Sequence, residues 1–558
     1  MSAEDGRLSH PAASGVAAAA LLAAALLAAS SGLGGAGGSL GAAWPPLLGL
    51  LGLAWLLGRE ELAAAWEQPR LLLGLALAAA LLYFGLLALT QESAVLGGRR
   101  WWWLEDDAMV SMRYAERWAA GQGPTWSDGA RVEGYSNFLW TAGMALLHRL
   151  GAARPTASAW VLGANGLLLL WTGLATRRLA RALGAGPLAA AVAGLACAAS
   201  YELMAMALSG LESVAVAAVA AEAMAVAAEA KAQGRPLPLA AAAWAGLLPL
   251  LRADGALPAL LVLAAWLPGR PTARRTALAL LLALGPGLAQ LCWRHAYYGA
   301  WVPNTALLKA GAWPGKYGDA AWKSAGAMAR YPLVLAGVVL AGLRKGRAAW
   351  LAVLAVLLAY TVWSGADYYP FFRFFAAGLP LFFALGLAGL DATAPFQRRP
   401  ALLWLALALG LNAAWAGPRF LGAWGTGKER LEVALELPKQ VHPGDRVACC
   451  LAGAFFYFSD VQGVDLLGIC DPVVAASPVD PAIALPGHNH MDLEWSLGTL
   501  KPRWVLMELP AAAAGAGDYT ITLYNLKLAT SPYFRGPYLG QVTRLSETWA
   551  LFGRAAGT

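Results

Sequence analysis

The sequence predicts an α-helical polytopic membrane protein of about thirteen spanning helices with a C-terminal extracytoplasmic α/β domain. Three observations carry that prediction. Across 558 residues, 59% are hydrophobic and only 13% are charged; soluble domains carry about a quarter of their residues as charges. The apolar residues fall into long runs punctuated by small basic clusters. Beyond Ala416 the composition turns to mixed polar and apolar sequence. Together these argue against a soluble enzyme and exclude a disordered chain. The net charge of +8 does not point to nucleic acid, because its Arg and Lys residues sit singly or in twos and threes between apolar runs.

Spans are expected near residues 13–33, 40–57, 71–90, 157–176, 187–208, 214–230, 237–251, 256–267, 276–293, 332–343, 349–363, 374–390 and 401–416. The first run is read as an uncleaved anchor, since its leader places Glu4 and Asp5 against Arg7. A cytoplasmic N-terminus puts Arg59, Arg177-Arg178, Lys231, Arg274-Arg275, Arg344-Lys345 and Arg398-Arg399 all in cytoplasmic loops. The run at 138–150 is too short to cross and is expected to lie on or dip into the outer face. The chain thus divides into two additional N-terminal spans (1–70), a membrane module (71–416) with a first external loop at 91–156, and an extracytoplasmic domain (417–558). In that domain RVACC at 446–450, AFFYF at 454–458, WVLME at 504–508 and TITLY at 520–524 read as strands. Cys449, Cys450 and Cys470 leave one disulfide open to it, with Cys449 or Cys450 pairing to Cys470.

The first external loop is the most polar stretch of the membrane module. Trp101 to Trp103 suit the headgroup level. Glu105-Asp106-Asp107 then precede a helical pattern at 108–120. Neighbouring carboxylates do not all ionise cheaply near a bilayer, so at least one is expected to have a raised pKa and to suit general-base work. Capping of the helix is the plainer role for Asp106 or Asp107. Other outward loops add Glu212, Arg252, Asp254, Tyr297, Tyr298, Asn304, Lys309, Asp367 and Arg373 at the outer ends of spans. Intramembrane charge of that kind usually faces a cavity. Lys316 and Lys323 are expected to be solvated. HExxH, P-loop, paired CxxC and GxSxG motifs do not occur. An enzyme on that face needs a donor delivered by the membrane, a carboxylate to deprotonate an acceptor hydroxyl, and cations for a departing phosphate.

These residues resemble a known family. Asp106-Asp107-Ala108, Arg113-Tyr114-Ala115, Gly121-x-Gly123 and Val132-Glu133-Gly134-Tyr135-Ser136-Asn137 are similar to the first external loop of GT-C fold glycosyltransferases. The likeness is greatest to the bacterial group that includes the mycobacterial terminal arabinofuranosyltransferase. Ser209-Gly210-Leu211-Glu212, Arg252-x-Asp254-Gly255, Tyr297-Tyr298-Gly299, Pro303-Asn304-Thr305, Lys309, Asp367, Arg373-Phe374, Asp465-Leu466-Leu467-Gly468 and Pro486-Gly487-His488 extend it. The resemblance implies a polyprenyl-phosphate-sugar donor, inverting transfer, and a catalytic aspartate at Asp106 with Asp107 beside it. It also implies substrate binding by Arg113, Tyr135, Glu212, Arg252, Asp254, Tyr297, Tyr298, Asn304, Lys309, Asp367, Arg373 and His488. Two spans precede the expected start of the family core, and Met109 stands where members often carry an aromatic residue; the donated sugar, arabinofuranose or another pentose or hexose, is therefore left open.

The expectation is an inverting glycosyltransferase at the outer face of the bacterial cytoplasmic membrane. Its partners would be a lipid-phosphate sugar donor, a cell-envelope glycan or lipid acceptor and membrane lipids, with no nucleic acid. A metal site is not indicated, although a divalent cation is compatible with the acidic pair. The rival is a polytopic transporter or flippase of envelope precursors, which should show two related halves with charge near mid-membrane.

Overall fold

The computed structural model describes residues 69–129, 131–236, 238–265, 272–309, 315–344, 346–365, 372–393, 427–480, 487–509 and 526–555. The first two expected spans, the last one, the strand at 520–524 and Asp367 lie outside these residues.

Among the described residues, three helices are long and apolar enough to cross a membrane: Arg154–Ala182, Ser213–Ala232 and Ala273–Tyr298. Two bent pairs bring the number to five. Pro187–Ala198 and Tyr201–Ser209 meet at 42°, where the Ser200 hydroxyl donates to the Cys197 carbonyl and accepts from the Leu203 amide, starting a new helix. Lys316–Ala329 and Pro332–Gly342 meet at 97°, because Pro332 forces Tyr331 out of helical geometry (φ −122°, ψ 60°). The run expected as one span at 237–251 is likewise divided into Leu239–Ala245 and Leu248–Leu251. Ala256–Ala264, Ala348–Trp363 and Leu379–Thr393 supply shorter apolar helices, as does Ala80–Gln91 within the 23-residue helix Pro69–Gln91.

The segment expected as the first external loop is more ordered than its composition suggests. Strands β1 (Ser93–Leu96) and β2 (Arg99–Trp102) pair antiparallel across Gly97-Gly98. Both glycines take positive φ, +57° and +75°, as a two-residue hairpin turn requires. Trp103, expected among headgroups, is buried in the core instead. The amphipathic helix Asp106–Ala119 follows, then the Phe138–Arg149 helix.

The C-terminal region folds around a five-stranded mixed sheet. Strands β3 (Arg446–Cys449), β4 (Gln462–Asp465), β5 (Trp504–Glu508), β6 (Gln541–Arg544) and β7 (Trp549–Gly553) lie in the order β4-β3-β5-β7-β6. The β4-β3-β5 half is parallel and the β5-β7-β6 half antiparallel. AFFYF is not a strand: Ala454–Ser459 is a helix. All six of its residues are buried, and an apolar run that is buried all round carries no period to separate strand from helix. Cys449, Cys450 and Cys470 are thiols with no disulfide between them.

The two regions are bolted together. Arg113 donates to Asp460 and to the Trp126 carbonyl, the Trp126 indole donates to the Ala452 carbonyl at 2.8 Å, and Asn304 donates to the Gly468 carbonyl at 2.6 Å.

Candidate active site

A cavity of about 420 Å³ opens where residues of the 91–156 segment, the ends of several apolar helices and the C-terminal region meet. That volume lies within the roughly 300–1,000 Å³ of small-molecule sites. Its lining includes the carboxylates Asp107, Glu212 and Asp254 and the cations Arg252, Lys309, Lys316 and Arg373, with His488 beside them. Four basic side chains outnumber three carboxylates, so the cavity favours an anion.

The acidic pair is divided by the helix it begins. Asp106 turns to the C-terminal region, where its carboxylate accepts from the Gly453 amide at 3.1 Å and the Ala454 amide at 2.9 Å. It caps the Ala454–Ser459 helix from another part of the chain. A Cβ on Gly453 would lie 2.1 Å from the Asp106 carbonyl oxygen, so only glycine permits this approach. Asp106 does not line the cavity; Asp107 does. Burial raises the Asp106 carboxyl above its ordinary value, against the opposing pull of Arg430 and the two amides. Burial also pushes Asp107 upward, but Arg373, His488 and Lys309 outweigh it and hold that carboxyl below its ordinary value. The raised carboxyl expected of the pair is therefore the capping one, because the cations gather around its neighbour.

Arg373 reaches Asp107 at 3.2 Å. It begins a short turn, Arg373–Phe375, entered through Phe372 in the left-handed region at φ +61°. Packing of Phe372 on Phe375, ring centres 5.1 Å apart, holds that unusual backbone. Arg252 donates to the Arg373 carbonyl and to Asp254, both at 2.9 Å, and lies 3.6 Å from Glu212. Tyr360 donates to Asp254 at 3.1 Å. The Phe374 ring gathers three cations, with Arg252, Lys309 and Arg373 at 4.7, 5.4 and 5.8 Å from its centre.

The remaining expected residues divide. Tyr135 lines the cavity and shares a 3.1 Å hydrogen bond with Tyr298; Tyr298 in turn donates to the Pro124 carbonyl. Tyr297 stacks on Trp293 beneath Arg131, away from the lining. Arg113 ties the Asp106–Ala119 helix, and Asn304 the Asn304–Lys309 helix, to the C-terminal region, and neither lines the cavity. Lys316 is buried rather than solvated and lines it. Its helix lies against the Ala348–Trp363 helix, which the linear spacing of polar residues does not show. Lys323 is exposed. Among the described residues, no group of three or more His, Cys, Asp or Glu converges as a metal site would.

No family model and no curated protein sequence matches this chain. Solved structures do. ArnT from Cupriavidus metallidurans in its apo state aligns with a TM-score of 0.56 at 15% identity over 88% of this chain and 98% of its own. The same protein bound to undecaprenyl phosphate aligns with a TM-score of 0.52 at 13% identity, over 87% and 98%. The archaeal oligosaccharyltransferase AglB from Archaeoglobus fulgidus, in complex with an inhibitory peptide and a dolichol-phosphate, aligns with a TM-score of 0.54 at 12% identity, over 86% and 74%. The chain therefore has the GT-C fold of these membrane proteins, with its cavity between the ends of apolar helices and the C-terminal sheet region.

Proposed function

We propose that this protein is an inverting glycosyltransferase that moves a sugar from a polyprenyl-phosphate donor to a hydroxyl on a cell-envelope glycan or lipid. The observation that carries the reading is Asp107, a carboxylate held by Arg373 inside a cavity that gathers Lys309, Lys316, Arg252 and His488. Asp107 offers a base, and the cations around it offer a seat for phosphate. Tyr317 and Trp363, both lining and both more than half exposed, give the opening an apolar edge suited to a polyprenyl chain. The structures of ArnT with undecaprenyl phosphate and AglB with dolichol-phosphate support a lipid phosphate as the donor class.

The transfer is a single in-line displacement. The acceptor oxygen forms a bond to the anomeric carbon as the bond from that carbon to the phosphate oxygen breaks. Asp107 takes the acceptor proton, and the departing phosphate leaves with its new charge met by Arg373, Lys309 and Lys316. Asp107 is a weak base while Arg373 and Lys309 face it alone. A bound phosphate shares them, which returns basicity to Asp107 when the donor is in place. The site faces the extracytoplasmic side of the bacterial cytoplasmic membrane, with the C-terminal region contributing Ile469, Gly487 and His488 to its lining.

The test is to offer purified protein undecaprenyl-phosphate-linked pentoses, arabinofuranose among them, and hexoses, together with envelope glycan acceptors, and to identify products by mass spectrometry. Sugar-extended acceptor with inverted anomeric configuration is expected. Movement of intact lipid across a vesicle membrane without transfer would overturn the reading in favour of a flippase.

A further inference from the structure

Asn137 stands at the N-cap position of the Phe138–Arg149 helix, where an asparagine normally bonds the helix's own first amides. Here it makes no such bond. Its side chain turns away, 4% exposed, and its amide nitrogen donates to Glu212 at 2.9 Å. Its oxygen accepts from the Ser111 hydroxyl at 3.1 Å and the Thr141 hydroxyl at 2.9 Å. The direction of the amide is fixed by chemistry: a carboxylate only accepts, so the nitrogen must face Glu212, whereas hydroxyls adapt to an oxygen.

These bonds close a loop. Glu212 faces Arg252, Arg252 donates to the Arg373 carbonyl, and Arg373 donates to Asp107. Asp107 lies one helical turn before Ser111 on the Asp106–Ala119 helix, and Ser111 returns the chain of contacts to Asn137. Ser111, Asn137, Glu212, Arg252, Arg373 and Asp107 all line the cavity.

We propose that Asn137 is a positioning residue of this site. By anchoring Glu212 it aims Arg252 at the Arg373 carbonyl, and through that turn it holds the guanidinium of Arg373 on Asp107. This rests on the glycosyl-transfer reading above. It assigns Asn137 no contact with reacting atoms; its effect is on the alignment of base and phosphate-binding cations, where displacements near 1 Å cost on the order of 100-fold in rate.

The experiment measures release of undecaprenyl phosphate from whichever undecaprenyl-phosphate pentose or hexose the wild-type protein turns over. Melting temperature is recorded for each variant. Asn137→Ala is expected to lower kcat by about 10–100-fold with the donor KM within about threefold. Asn137→Asp sets a carboxylate against Glu212 and is expected to be at least as damaging. The double variant Asn137→Asp with Glu212→Gln exchanges amide and carboxylate at unchanged charge, and is expected to recover most of the lost kcat. This rescue also decides the matter if Asn137→Ala does not fold. Wild-type kcat in Asn137→Ala, or a double variant no faster than Asn137→Asp, overturns the positioning role while leaving the transferase reading intact. A wild-type protein that transfers no sugar overturns both.

Discussion

The Asp107 carboxylate accepts a hydrogen bond from Arg373 at 3.2 Å, across 266 residues of sequence. The contact joins the start of the first external loop's helix to a turn just before the Leu379–Thr393 helix. It sets the proposed base and the proposed phosphate-binding cation side by side in one cavity, and each expectation below depends on it or on what holds it in place.

Asp107→Asn should reduce sugar transfer by about 100- to 10,000-fold, the usual worth of a general base, with little change in melting temperature. Asp106→Ala should do the reverse. It removes the acceptor for the Gly453 and Ala454 amides, at a cost of about 1–2 kcal/mol in stability. Kinetics and thermal unfolding of both variants check the division, and equal loss of kcat at equal stability would contradict it.

Arg373→Ala should move the acid limb of the kcat/KM profile to higher pH. Arg373 is first among the groups that lower the Asp107 carboxyl. Without it less opposes the effect of burial, so the pKa rises and a larger fraction of the base is protonated at any given acidic pH. A pH series on wild type and variant checks the sign; a limb that stays or moves to lower pH contradicts it.

Lys316→Ala should raise the donor KM by about 10- to 100-fold, as expected for loss of one charge-assisted bond to phosphate worth about 1.5–3 kcal/mol. Lys323→Ala, on the exposed side of the same helix, should leave KM unchanged. Titration of the two variants with undecaprenyl phosphate separates them.

Gly453→Ala should destabilise the protein by about 1–3 kcal/mol, since the added methyl meets the Asp106 backbone oxygen. Limited proteolysis should then cut between the membrane module and the C-terminal region faster than in wild type. Unchanged proteolysis would mean that the capping contact does not hold the two together.

Parts of the molecule were legible in one dimension because their causes are local. Apolar runs and the composition change after Ala416 predict membrane helices followed by a sheet region. The acidic pair before an amphipathic pattern predicts the Asp106–Ala119 helix within two residues of its start. Glu212, Arg252, Asp254, Lys309 and Arg373, read as convergent from their place at the ends of apolar runs, line one cavity together with His488, which only the resemblance named. Arg113 and Asn304 share the same motifs yet serve the joint between regions, because a cation or an amide looks the same in sequence whether it faces a substrate or a carbonyl.

What the sequence by itself determined is the solvent: with 13% charged residues and long apolar runs, these helices have a membrane as their stable environment, and the few charges gather where helices end. What only the tertiary structure decided is which of two adjacent aspartates meets the cavity. Successive residues on a helix point about 100° apart; the docked C-terminal region supplies Gly453 and Ala454 on one side, and the turn at Arg373 supplies a cation on the other. Neither partner is within 250 residues of the pair, so the division of labour between Asp106 and Asp107 exists only once the chain has folded.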